Sequence, residues 1–260
     1  MLSMVRAELF RMVKSRSLVV FSFVVAAWTA VQTFSIWTAA QPEFGMTSLI
    51  EGDLADASIL TVYGTSFVSG SPFAALVAVF VAAFAVADFT SKYVKNLMQT
   101  PGGRAAYAVA LGVSALPVAA WFALLGLCCS AVTLCALGQA FAVPFIGEFV
   151  AWFVQLVLVT LAYSLIVLAF VFLTKNEVVG LVVALALGFG WVETMLAAIL
   201  QNTPGVPGVL LDGVGVLLAA DLGVLGRGAL PDPAAGVFAA AVAAVAGAAC
   251  ALVMRRRSLA

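Results

Sequence analysis

Six apolar stretches, each close to the length that crosses a bilayer, constrain this chain more than any other feature. About 20 apolar residues in a helix span a hydrocarbon layer roughly 30 Å thick. Stretches of that kind occur near 18–40, 72–87 (with an earlier start through 59–68 as an alternative), within 105–137, and at 149–173, 178–200 and 234–254. Composition agrees: hydrophobic residues make up 65% of the 260 residues and charged residues only 9%. Soluble domains run near 45–50% apolar and about 25% charged, so a soluble fold of this size would expose apolar surface that it has no charge to offset. The expected fold class is an all-α integral membrane protein, with 1–260 forming a single membrane domain of six transmembrane helices. No polar stretch is long enough to build a second, soluble domain. The expected location is the inner (cell) membrane, multi-pass.

Residues 1–16 read differently from the spans. Leu2, Val5, Leu9, Met12 and Val13 recur at helical steps on one face, with Ser3, Arg11, Lys14 and Ser15 opposite. That pattern predicts an amphipathic helix lying in the headgroup plane. A signal peptide is the alternative, given the basic start and the small residues Ala39 and Ala40. Its apolar core would be about 7–15 residues, and the run that follows Ser17 is longer, so a retained anchor is expected. Pro117 inside the third span and the excess length of 105–137 predict a tilt, a kink or an interfacial end.

Charge is sorted along the chain although it sums to zero. With six spans and a cytoplasmic N-terminus, the inner segments hold Arg6, Arg11, Lys14, Arg16, Lys92, Lys95, Arg104, Lys175, Arg255, Arg256 and Arg257. Those are eleven of the twelve basic residues, with only Arg227 outside. The positive-inside rule counts Lys and Arg alone, and the split places both termini in the cytoplasm. Residues 209–225 are apolar but carry Asp212, Asp221 and several glycines, with Pro204 and Pro207 before them and Pro231 and Pro233 after. They read as short helices on the outer face, within an extracytoplasmic loop 201–233. A seventh span there would carry Arg255–Arg257 to the wrong side. Trp37, Trp152 and Trp191 fall near outer span ends and read as interfacial anchors.

Several function classes drop out. Histidine is absent, which removes Ser-His-Asp triads and most zinc sites. Cys128, Cys129, Cys135 and Cys250 lie in apolar segments without CxxC spacing and read as packing residues. No GxxxxGK[ST] loop occurs, so the chain is expected not to be an enzyme by itself, and neither a metal nor another cofactor is expected. Zero net charge gives no reason to expect nucleic acid. Two stripes of small residues, Gly180/Ala184/Gly188 and Ala240/Ala244/Ala248, allow close helix approach, either within one subunit or across a dimer seam. Glu193 is the one acid that this layout places inside a span, as a pathway or packing residue.

The inner segment 88–104 carries the most information. Plotted as a helix, Phe89, Tyr93, Val94, Leu97 and Met98 fill one side. Asp88, Ser91, Lys92, Lys95, Asn96 and Gln99 fill the other, with Thr90 alone misplaced. Asp88 would cap the start and pair with Lys92, and Pro101-Gly102-Gly103 would stop the helix before Arg104. A solvated loop helix is the plain reading of such a pattern; a docking helix is the other.

With its amphipathic leader ending in Lys14-Ser15-Arg16, its first span, the helix Asp88…Lys95…Pro101…Arg104 and a last span closing on Arg255-Arg256-Arg257, the chain resembles the ABC-2 type permeases. Within them it is most similar to the bacitracin and lantibiotic immunity permeases. It departs from their inner-loop pattern in lacking the usual Gly and in carrying apolar Tyr107–Leu111 where a basic residue is usual. The resemblance implies a permease subunit that expels a peptide antibiotic or other amphiphile. A coupling helix (Asp88, Lys92, Lys95, Gln99, with Arg104 just beyond) would dock on a separate ABC ATPase. A second permease subunit, identical or paralogous, is implied as well. From a different class, an ion- or proton-coupled secondary transporter of six helices is the alternative.

Overall fold

The computed structural model describes residues 2–41, 54, 56–70, 72–91, 103–174, 176–189 and 218–256, with single positions between 191 and 199. Among these residues the chain is all-helical apart from turns and one isolated bridge between Ser58 and Ala142. The helices are α1 (Leu2–Lys14), α2 (Arg16–Ala40), α3 (Ile59–Tyr63, running on as a π-helical turn Gly64–Val68), α4 (Pro72–Thr90), α5 (Gly103–Ala136), α6 (Ile146–Thr174), α7 (Glu177–Gly188), α8 (Leu218–Leu225) and α9 (Pro233–Arg256).

Five of them, α2, α4, α5, α6 and α9, are long and apolar enough to cross a membrane, and the chain is a multi-pass membrane protein. Of the remaining predicted span, 178–200, the 12-residue α7 is described, which is apolar but too short by itself to cross a membrane; most of the second half of that stretch lies outside the described residues. The stretch 59–68 is not an early start of the second span. It forms a short helix of its own, separated from α4 by a turn at Ser69 and Gly70. At 1.5 Å per residue, α4 reaches about 28 Å and α5 about 51 Å, so α5 extends beyond the hydrocarbon layer. Its helix runs unbroken through Pro117.

Local signals explain the boundaries. Ser15 ends α1 and starts α2: its hydroxyl donates to the Met12 carbonyl (2.7 Å) and accepts from the Leu18 amide (3.2 Å). This is an N-cap of the usual kind. Asn176 caps α7 by accepting from Val178 N at 2.9 Å. Asp232 caps α9 by accepting from Ala234 N at 2.9 Å, with Pro233 at the first helical position.

Two helices form the centre. In the most apolar stretches, 72% of α6 and 67% of α4 is buried, against 22% of α2 and 28% of α9. The outer helices therefore turn apolar faces such as Val19, Phe23 and Val31, or Val237 and Val245, outward, where lipid is the compatible solvent. In α9 the buried side carries Ala239, Ala243, Ala246 and Cys250, while Ala240, Ala244 and Ala248 face out. In the other small-residue stripe, Gly180 and Ala184 pack inward. Ala184 is fully buried, and a Cβ on Gly180 would lie 2.5 Å from Val171 Cγ2.

The helices alternate in direction, which defines two ends of the bundle. At one, α1 packs on the start of α5, and the ends of α4, α6 and α9 come together. At the other, α3, the 137–145 turn, the start of α6 and α8 are interlocked. Ile59 N donates to Ala142 O (3.1 Å), Ala142 N to Ala57 O (2.9 Å), and Trp152 Nε1 to Leu225 O (3.0 Å). The expectation of short helices resting on the outer face is corrected for 218–225. α8 is buried through Leu218, Asp221, Leu222 and Leu225, because it fills the space between α3 and α6; residues 209–217 lie outside the described residues. Trp152 is corrected too. It is fully buried with its indole N–H satisfied inside the protein, so it is a packing residue and not an interfacial anchor.

Candidate functional site

The end of the bundle that holds α1 carries a compact polar cluster in otherwise apolar surroundings. Its centre is Asp88, on the last turn of α4 and 1% exposed. Arg11 of α1 reaches it with both terminal nitrogens. Nη1 donates to Asp88 Oδ2 at 3.2 Å, and Nη2 is paired with Oδ1. Tyr107, one turn into α5, donates its hydroxyl to Oδ2 at 2.9 Å. Arg11 Nη1 also bonds Glu8, three residues earlier on α1 and fully buried, at 3.0 Å and 3.3 Å. One guanidinium therefore bridges two buried carboxylates, a task that suits its planar fork of donors better than a lysine ammonium.

Aromatic rings wall the cluster off. The Arg11 guanidinium sits 5.4 Å from the Phe84 ring centre, within cation–π range. Tyr107 lies against Phe172 (6.3 Å between ring centres), which in turn meets Phe89 edge-on at 5.9 Å. Three elements far apart in sequence, α1, α4 and α5, are thus tied at one point beside the start of the 92–102 segment.

This arrangement corrects two sequence expectations. Asp88 was expected on a wet helix face, capping a new helix. It instead belongs to the buried side of α4, which continues to Thr90, and its carboxylate accepts from Arg11 and Tyr107; Lys92, also expected to pair with it, lies outside the described residues. Thr90, the misfit in the amphipathic pattern, is explained: its hydroxyl bonds back to Val86 O (3.2 Å) and Ala87 O (3.0 Å) within the same helix. The second correction concerns α1. Its packed side is centred on Glu8 and Met12, and Arg11, expected opposite, turns towards the protein because Asp88 is there to receive it.

Of the other residues read as coupling groups, Arg104 is half-buried in the first turn of α5, three positions before Tyr107. Lys92, Lys95, Gln99 and Glu193 lie outside the described residues. No family model and no curated protein matches this chain. Glu8, Arg11 and Tyr107 were the members of the cluster that sequence reading missed. The available signal was chemical: an acid at position 8 and another at 88, each flanked by apolar residues, need a cation, and Arg11 lies one helical turn from Glu8.

Among the described residues no group of His, Cys, Asp or Glu could hold a metal ion. The four cysteines are free. Cys250 is buried and donates to Leu165 O at 3.4 Å, tying α9 to α6, while Cys128 and Cys135 are exposed.

Proposed function

We propose that this chain is the membrane-spanning permease subunit of an ABC transporter that expels a peptide antibiotic or another amphiphile, with ATP hydrolysis carried out by a separate polypeptide. The supporting observation is the cluster at Asp88. It roots the N-terminal helix and the ends of α4 and α5 at the base of the 92–102 segment, so a force applied to that segment reaches three helices together. The sequence supplies no phosphate-binding loop of its own. In this reading both termini and residues 88–104 are cytoplasmic, and Lys92, Lys95, Gln99 and Arg104 meet the ATPase. A second permease copy or a paralogue completes the pathway.

The test reverses Lys95 and Arg104 to Glu together. Like charges brought together at an interface cost several kcal/mol, on the order of a hundredfold or more in affinity. The expected result is normal membrane levels of the permease with loss of ATPase co-purification and of transport. Unchanged co-purification and transport would mean that the 92–104 segment does not dock on the ATPase.

An ion- or proton-coupled secondary transporter is the second reading, and one observation favours it: a carboxylate buried among a tyrosine, an arginine and aromatic rings. Coupling sites of such transporters sit near the bilayer midplane, whereas Asp88 is on the last turn of a 19-residue helix. Transport that persists without any ATPase but collapses when the proton gradient is discharged would favour this reading over the first.

A further inference from the structure

The end of the bundle away from Asp88 holds two adjoining cavities on neighbouring faces of the first turns of α6. One, of about 450 Å³, is lined by Ser58, Phe145, Glu148, Trp152, Gly228 and Leu230, with polar and apolar surface in similar amounts. The other, of about 530 Å³, is mostly apolar, with Val150, Val154, Leu158 and Pro231 in its wall. Leu230 belongs to both walls, so the two chambers adjoin at that residue. Each is large enough for part of a small-molecule ligand.

Their chemistry is uneven in a way that selects a ligand. Among the described lining residues Glu148 is the one charged side chain, and it is exposed to the first chamber near the exposed ring of Phe145. A carboxylate near an exposed aromatic face attracts a cation on two counts. In the apolar chamber the amide of Gln155 has a buried Nε2 with no hydrogen-bond partner. An unmade bond of that kind is costly unless a ligand accepts it. A phospholipid fits poorly, because its phosphate would sit by Glu148 with no Lys or Arg among the described lining residues.

We infer that the paired cavities bind a single amphiphile carrying a net positive charge, its cationic head beside Glu148 and its tail along Val150, Val154 and Leu158, past the Gln155 amide. As the site of the cargo this rests on the permease reading above; as a ligand site it does not.

The test uses the full chain in phosphatidylcholine nanodiscs, with no ATPase present, and radiolabelled dodecyltrimethylammonium as the probe, corrected for uptake by empty discs. Saturable binding is expected. Glu148→Gln should weaken it about three- to tenfold, the scale of one partly exposed ion pair, and Glu148→Lys should remove it. Val154→Trp, which fills the apolar chamber, should weaken dodecyltrimethylammonium. Dodecyl sulfate should not compete. Thermal unfolding should be unchanged in Glu148→Gln, since that side chain is exposed, which separates lost binding from lost folding. Saturable binding indifferent to the charge at 148, equal competition by dodecyl sulfate, or displacement of the probe by phosphatidylethanolamine would overturn the proposal, the last by showing a lipid site. Cation binding that survives in a chain shown not to partner any ATPase would leave the site standing while the permease reading fell.

Discussion

Arg11, held between two buried carboxylates, ties the N-terminal helix to the bundle. Its guanidinium pairs with both Asp88 and Glu8, which are withdrawn from solvent, and is itself shielded by Phe84. Removing one partner of a buried ion pair is costly because the other is left uncompensated, typically about 3–5 kcal/mol. The Arg11 side chain is 31% exposed, so the lower part of that range applies. Arg11→Ala should therefore lose about 3 kcal/mol of stability in detergent, read as a large fall in thermal midpoint together with new thiol accessibility at a cysteine placed at Met12. The triple change Glu8→Leu, Arg11→Met, Asp88→Leu removes the charges together and should restore most of that loss, since apolar replacements of a buried ionic group are often neutral or better. If the single and triple variants melt alike, the cluster is not what holds α1 in place. A protein that regains stability in the triple variant yet stays inactive would separate the cluster's structural role from a part in coupling.

Among the elements, α7 shows how close packing can invert a general rule. An internal helical glycine usually costs about 0.5–1 kcal/mol relative to alanine, so Gly180→Ala would ordinarily stabilise. Here the new Cβ would meet Val171 Cγ2 at 2.5 Å, on a β-branched side chain with little rotamer freedom. Overpacking of this kind costs about 1–3 kcal/mol. Gly180→Ala is thus expected to destabilise, and Val171→Ala in the same chain should relieve the clash, so that the two changes couple strongly in a double-mutant cycle. Additive effects would show that α7 moves aside freely. The same principle operates where α3 meets the turn after α8: a Cβ on Gly64 would lie 2.7 Å from the Gly226 carbonyl oxygen, so two backbones touch with no side chain between them. That contact, with the bond from Trp152 to Leu225 O, fastens α8 to the bundle.

For the molecule as a whole, the arrangement of charge sets an orientation that can be measured. Arg11, Lys14, Arg16 and Arg104 lie at the end of the bundle that holds Asp88, and α9 closes there with Arg255 and Arg256. Arg227 and Glu148 lie at the other. With the native cysteines replaced, a cysteine at Ser91 or Ser258 should be protected from an impermeant thiol reagent in intact cells, and one at Asp232 should be labelled. Labelling at Ser258 from outside would reverse the end of α9 and require an odd number of crossings.

What the chain's sequence determined by itself was its solvent and the limits of its long helices. Hydropathy over some twenty residues and a single capping side chain are local quantities. The expected spans 149–173 and 234–254 accordingly fall within a few residues of α6 and α9, and the helix breaks at Ser15 and Asp232 coincide with side chains that cap them. What only the tertiary structure decided was how polar and small residues are used. Asp88 and Arg11 are 77 positions apart, and no periodicity within either helix reports that pairing. Hydrophobic pattern placed Arg11 towards water and Asp88 on a wet face, because a pattern scores each residue against solvent and not against a distant partner. Trp152 was misread as an anchor and Gly180 left open between packing and a dimer seam for the same reason: a buried indole needs a particular carbonyl, and a glycine needs a particular neighbour. Those partners exist only once the helices have packed.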